Sequence, residues 1–199
     1  MPRHRKFLVA SLAMGLAVTL GTATAVYATS LPGGTTVTAA LKAGTDMTFQ
    51  GNIDSVSITV SCTTFTGSAT LPNSPASTID LNGPPTLSGC TDTSGGSDTV
   101  TTNSTSGPWV LSTKGKKAPY KLTLTIPKAG ATFASNVIPG CVITAAPKKP
   151  VKVTGKYDGT NTDTVSNGKI ATKGAGCTST TAETDASVVF SPSPGPPPF

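Results

Sequence analysis

Ser55-Val56-Ser57-Ile58-Thr59-Val60-Ser61-Cys62 decides how the rest of the chain is read. In an extended backbone successive side chains point to opposite faces, so Val56, Ile58, Val60 and Cys62 share one side and Ser55, Ser57, Thr59 and Ser61 the other. That alternation marks a half-buried antiparallel strand. Tyr120-Lys121-Leu122-Thr123-Leu124-Thr125-Ile126 repeats it. The two segments predict Val56, Ile58, Val60, Leu122, Leu124 and Ile126 in the core, joined by Val188 and Phe190 from 186–190. Ser57, Thr59, Thr123 and Thr125 should face solvent. Weaker alternation runs through 37–41, 78–81 and 151–153, and Trp109-Val110-Leu111 and Cys141-Val142-Ile143 also read as strands.

Between these runs stand turn formers: Asn52-Ile53-Asp54, Asn82-Gly83-Pro84-Pro85, Ser94-Gly95-Gly96-Ser97, Lys114-Gly115-Lys116, Asp158-Gly159 and Asn167-Gly168. The last two read as hairpin tips, because Asp-Gly and Asn-Gly tolerate the positive φ of a type I′ turn. No window places apolar residues at i, i+3, i+4 and i+7, so helix is not expected. The prediction is an all-β domain over 29–190, an antiparallel β-sandwich (immunoglobulin-like or jelly-roll-like) or a barrel. Ser191-Pro192-Ser193-Pro194-Gly195-Pro196-Pro197-Pro198-Phe199 reads as an extended, partly disordered Pro-rich tail, since proline cannot donate to a ladder.

At the other end, Arg3, Arg5 and Lys6 precede an apolar stretch from Phe7 to Leu20 and then small residues up to Ala28. This profile predicts a signal peptide over residues 1–28 that is cleaved before Thr29; an earlier site after Ala25 and an uncleaved anchor are the alternatives. No later segment is apolar enough to span a bilayer as a helix. Secretion, with an extracellular or cell-wall-associated location, is the expectation.

Cleavage changes the available chemistry. The only histidine, His4, and both arginines lie in the removed segment. Histidine-based triads and histidine-ligated metals are therefore not expected, nor is an enzyme or a cofactor. Ser166-Asn167-Gly168-Lys169 has Ser-x-x-Lys spacing, but it lacks the companion motifs of penicillin-recognising enzymes and sits in a turn signal. Loop oxygens at 92–98, and at Asp158, Asn161 and Asp163, are the two places to weigh for calcium; neither has the EF-hand order, and no metal is predicted. Trp109 is expected in the core rather than as an exposed contact residue.

Cys62, Cys90, Cys141 and Cys177 all follow residue 28, and their even number in an exported chain favours two disulfides over free thiols or zinc. Connectivity is not readable from sequence, since four cysteines allow three pairings. Cys62 with Cys90 and Cys141 with Cys177 is favoured, because each pair brackets a strand-turn-strand segment and closes on a related ending, Ser88-Gly89-Cys90 and Ala175-Gly176-Cys177. Cys90 with Cys141, around Trp109, follows the immunoglobulin spacing, although Pro139 stands where that pattern has tyrosine.

Ser61-Cys62-Thr63, Ser88-Gly89-Cys90-Thr91, Gly107-Pro108-Trp109, Gly140-Cys141, Gly155-Lys156-Tyr157, Gly176-Cys177-Thr178 and Phe190-Ser191-Pro192 together resemble small secreted β-rich actinobacterial proteins with four cysteines. The resemblance spans residues 55–192. It implies export, β structure and paired cysteines, and it carries no activity.

Charge is unevenly spread. Residues 29–113 hold one lysine, Lys42, against five aspartates, whereas residues 114–177 hold eleven lysines against Asp158 and Asp163. The clusters are Lys114, Lys116, Lys117 and Lys121, and Lys148, Lys149, Lys152 and Lys156. One reading is solvated lysines that keep strand edges from aggregating. The sharper one is a basic face for anionic cell-envelope polymers; lysine without arginine suits loose charge attraction, so no nucleic-acid site is expected. A secreted, non-catalytic β protein acting by binding or structure is the leading functional expectation. The alternative is a small-molecule binder that uses a cleft in the sandwich or barrel.

Overall fold

The computed structural model describes residues 31–135 and 138–197. The signal-peptide segment, with its cleavage site, lies outside the described residues. Within them the chain is all-β: thirteen strands, every pairing antiparallel, and no helix.

The thirteen strands combine into eight long staves. β1 (Thr36–Leu41) and β2 (Met47–Ile53) form the first, since both lie between β13 (Thr181–Ser191) and β3 (Val56–Thr70). β3 is the second, and β4 (Thr78–Asp80) with β5 (Thr86–Asp92) the third, joined to it by the β3–β5 ladder and an Ala69–Leu81 bridge. β6 (Ser97–Thr102) and β7 (Val110–Lys114) pair with β9 (Ala131–Ser135) and β8 (Tyr120–Ile126), giving the fourth and fifth. β10 (Val142–Ala145) and β11 (Val151–Tyr157) make the sixth, β12 (Thr162–Ala175) the seventh and β13 the eighth. Each stave pairs with the next in sequence, and the eighth returns to the first. The result is an up-and-down barrel with no free sheet edge of the kind that invites aggregation. The barrel alternative is thus the one adopted, and no second sheet stacks on it among the described residues.

Alternation along the staves puts hydrocarbon inside and Thr, Ser and Lys outside. Val56 and Val142 are the large apolar side chains left exposed. A barrel sitting in lipid needs the reverse, an apolar outer band. No helix of the described residues is long and apolar enough to cross a membrane. The interior packs in three clusters: one around Val37, Phe65, Leu122, Tyr157 and Phe190, one around Trp109, Ile126 and Val153, and one around Val60, Cys62 and Cys90.

Long staves need places to bend, and one of the two predicted hairpin tips serves that purpose instead. Asn167-Gly168 is no hairpin tip: it lies inside β12, where the register against β13 shifts between Val165 and Gly168 and Asn167 takes φ 52°. The positive φ that Asn-Gly tolerates serves a bulge, which moves the inward positions from Asp163 and Val165 to Gly168 and Ile170. Asp158-Gly159 does connect two strands, β11 and β12. A similar change of face occurs where Thr63 passes Gly89, whose φ is 62°; a Cβ there would lie 2.2 Å from the Thr63 Oγ1. Below that point Phe65 and Ala69 point inward, above it Val60 and Cys62.

Two burial expectations fail for local reasons. Val56 is 61% exposed because it follows the Asp54-Ser55 turn directly, at the barrel rim. Thr123 is 7% exposed, although it alternates with inward Leu122 and Leu124. It sits on the middle of three paired strands, opposite Ser112 and Thr154, and its hydroxyl lies 3.2 Å from that of Thr154. Ile58, Leu124 and Thr125 are half-buried, while Val60, Leu122, Ile126, Val188 and Phe190 are buried as expected.

The tail has no ladder beyond Ser191, but it is seated on the barrel rather than loose as far as it is described. Pro194 and Gly195 are buried, and the Tyr157 hydroxyl reaches the Gly195 carbonyl at 2.9 Å. Pro198 and Phe199 lie outside the described residues.

Candidate functional site

The four cysteines pair as favoured, Cys62 with Cys90 and Cys141 with Cys177. The first pair joins register partners on β3 and β5. The second ties the connection entering β10 to the one between β12 and β13. On the chain-entropy model, closing loops of 28 and 36 residues contributes about 3.5 kcal/mol each.

The two lysine clusters, separate in sequence, come together on three neighbouring staves. Lys114 on β7 is the register partner of Lys121 on β8, which is in turn the partner of Lys156 on β11. Lys116 and Lys117 occupy the β7–β8 connection, Lys152 shares the outward face of β11 with Lys156, and Lys148 and Lys149 precede that strand. All eight are exposed. The neighbours facing this surface are Ser112, Thr123, Thr125, Thr154 and Thr164, and the row of Lys152 continues through Thr125 and Val110 to the exposed Asp80 on β4. Asp158, two residues beyond Lys156, is already engaged. Against some desolvation, N–H bonds from Thr162, Thr160 and Asn161 to its Oδ1 hold the carboxyl below the usual carboxylate range. Like charges directly opposite on paired strands are destabilising, so the Lys114-Lys121-Lys156 row works against the fold.

Inside the barrel lies a cavity of about 210 Å3, lined from Ile58 and Phe133 toward one rim to Val37, Leu122 and Phe190 toward the other. Trp109, the only tryptophan, is on its wall, 3% exposed, its indole N–H donating to the Asn103 carbonyl at 2.9 Å. It is a core residue, as expected.

Asp163 is the one carboxylate among the lining residues. It is 7% exposed, and its Oδ1 has no hydrogen-bond partner. Burial, reinforced by the negative charge of Asp158 and partly offset by the Thr164 N–H, pushes its pKa up to about 7. Gly155 on β11 is what leaves room for it, because a Cβ there would lie 2.4 Å from Asp163 Oδ1. Thr184, also on the wall, has a buried Oγ1 without a partner.

Neither place weighed for calcium assembles a ligand set. The Asp92 Oδ1 accepts from the Ser94 hydroxyl and from the N–H groups of Ser94 and Gly96, which holds that carboxyl low, and Asp163 points into the lumen while Asp158 stays at the surface. No group of three His, Cys, Asp or Glu able to hold a metal occurs among the described residues. Sequence reasoning treated Asp163 as a loop residue. The signal for its burial was the alternation Asp163-Thr164-Val165, hidden by the bulge two residues later.

The fold and these two features define a disulfide-bonded, eight-staved antiparallel barrel with an apolar lumen and a lysine-rich outer face. Comparison of the chain with family models, with curated proteins and with solved structures gives no match in any of the three.

Proposed function

We propose that this chain is an exported, non-catalytic β-barrel that holds to anionic polymers of the cell envelope through the face built by β7, β8 and β11. The observation that carries the reading is the row Lys114, Lys121 and Lys156, set directly across three strands with no acidic residue between them. A solubility role would be met by lysines dispersed over the barrel, whereas stacking them opposes folding and concentrates positive potential on one side. Two disulfides suit an oxidising compartment, in keeping with export. Lysine alone, without arginine's planar fork, fits attraction to a repeating anionic chain rather than recognition of one phosphate geometry.

The test is retention of the purified protein on isolated cell wall as salt rises from about 20 to 500 mM, over which the Debye length falls severalfold. Retention should fall steeply with salt and be lost when Lys114, Lys121 and Lys156 are replaced by Gln. Retention indifferent to both changes would overturn the proposal.

A further inference from the structure

The geometry points to a second site, independent of the lysine face: the barrel lumen binds an elongated apolar molecule carrying one amine, with Asp163 as the anchor for that amine. The lumen supplies hydrocarbon nearly everywhere, so the body of the ligand must be hydrocarbon as well. Asp163 supplies the exception. Its Oδ1 is buried and unpartnered, Asp163 is among the residues that line the cavity, and its carboxylate lies over Gly155, where any side chain would displace it. A carboxylate in such surroundings calls for a donor, and an ammonium group brings both opposite charge and several N–H groups. The Thr184 Oγ1, farther along the lumen beyond Val165, offers a second polar contact to a ligand long enough to reach it.

Asp163 is the second residue of β12, so the anchor sits beside the rim formed by 158–161. The C-terminal segment crosses that same rim. Tyr157, the register partner of Asp163, reaches the carbonyls of Thr160 and Gly195 through its hydroxyl, and the Ser193 hydroxyl donates to Thr160. Pro194 forms part of the cavity wall. The tail thereby closes the end of the lumen at which the amine is held, and it must lift for a ligand to pass there.

Trp109 makes the site readable, since the only tryptophan lines the cavity. Full-length exported protein is titrated with decylamine and with decanol at about pH 8, following Trp109 fluorescence, and stoichiometry is read by native mass spectrometry. Decylamine should bind one to one and at least about thirtyfold more tightly than decanol, the scale of a buried charge pair. Asp163→Asn should remove that preference while leaving decanol binding in place. Ala186→Leu, which fills the lumen opposite Val165, should weaken both ligands; circular dichroism on each variant separates lost binding from lost folding. A chain shortened to residue 192 should bind decylamine faster. No binding of either ligand by the full or the shortened chain would overturn the inference, as would an amine preference that survives Asp163→Asn or binding that ignores Ala186→Leu. None of these outcomes bears on retention by cell wall, so the two sites stand or fall separately.

Discussion

Replacing Asp163 by Asn should make the folded barrel more stable at neutral and alkaline pH, against the usual result of altering a buried polar residue. The carboxyl titrates near pH 7 in the folded chain and near 3.8 when exposed. Between those values the folded state keeps a proton that the unfolded chain releases, so stability declines as pH rises through this window and levels off above it. At about 1.36 kcal/mol per pH unit, the span corresponds to roughly 4 kcal/mol, taken as an upper value because water and local relaxation ease the burden on a buried charge. Asparagine keeps the shape and carries no charge to bury. Urea unfolding of both chains at pH 4.5 and pH 8 measures the effect. The variant should gain about 2 to 4 kcal/mol over the parent at pH 8, and the gap should narrow strongly at pH 4.5. Asp92 and Asp158, whose carboxyls are held low, lend stability that is lost as pH falls below about 4; being common to both chains, they cancel in the difference. Parallel stability profiles, or a variant weaker at pH 8, would falsify the assignment of Asp163 as a buried, unpaired acid.

Replacing Cys62 and Cys90 together by Ala should remove about 3.5 kcal/mol, measured by urea unfolding with and without reductant; a loss under about 1 kcal/mol would show that the ladder alone closes this part of the barrel. Lys121→Glu should stabilise the barrel by about 0.5 to 1 kcal/mol, by turning two repulsive cross-strand pairs into attractive ones, while reducing retention on cell wall; destabilisation would show that the row is not strained by charge. Gly89→Ala should cost about 1 to 3 kcal/mol, since its φ is positive and the Thr63 hydroxyl already fills the space of a Cβ, and an unchanged thermal midpoint would contradict the change of face described there. N-terminal sequencing of the extracellular form should begin at Thr29, and a chain that keeps Met1 would remove the argument for export.

Fold class was legible because alternation of side chains is a local property: Ile58, Val60 and Cys62 declare a strand whatever surrounds them. The cysteine pairing was favoured but not fixed by the sequence, since four cysteines allow three pairings, and only the register sets Cys62 opposite Cys90 on neighbouring strands. Closure was not legible. Whether antiparallel strands stack as two sheets or close into one depends on whether the last pairs with the first, and nothing local records that β13 meets β1 and β2.

The lysines show the same division. Their two clusters could be counted in the sequence, but only register makes Lys114, Lys121 and Lys156 a single row. Asn167-Gly168 announces a positive φ and does not say whether a hairpin or a bulge will use it; the ladder on either side of it chose the bulge. That bulge, together with Gly155 across the sheet, is what turns Asp163 from an apparent loop residue into the one acid of an apolar lumen. By itself, then, the sequence determined strands, most of the turns, four cysteines able to pair and the excess of lysine, each a matter of composition or of neighbours along the chain. Tertiary structure decided the barrel, the lysine row and the buried carboxylate, because each of these depends on which distant strand becomes a neighbour.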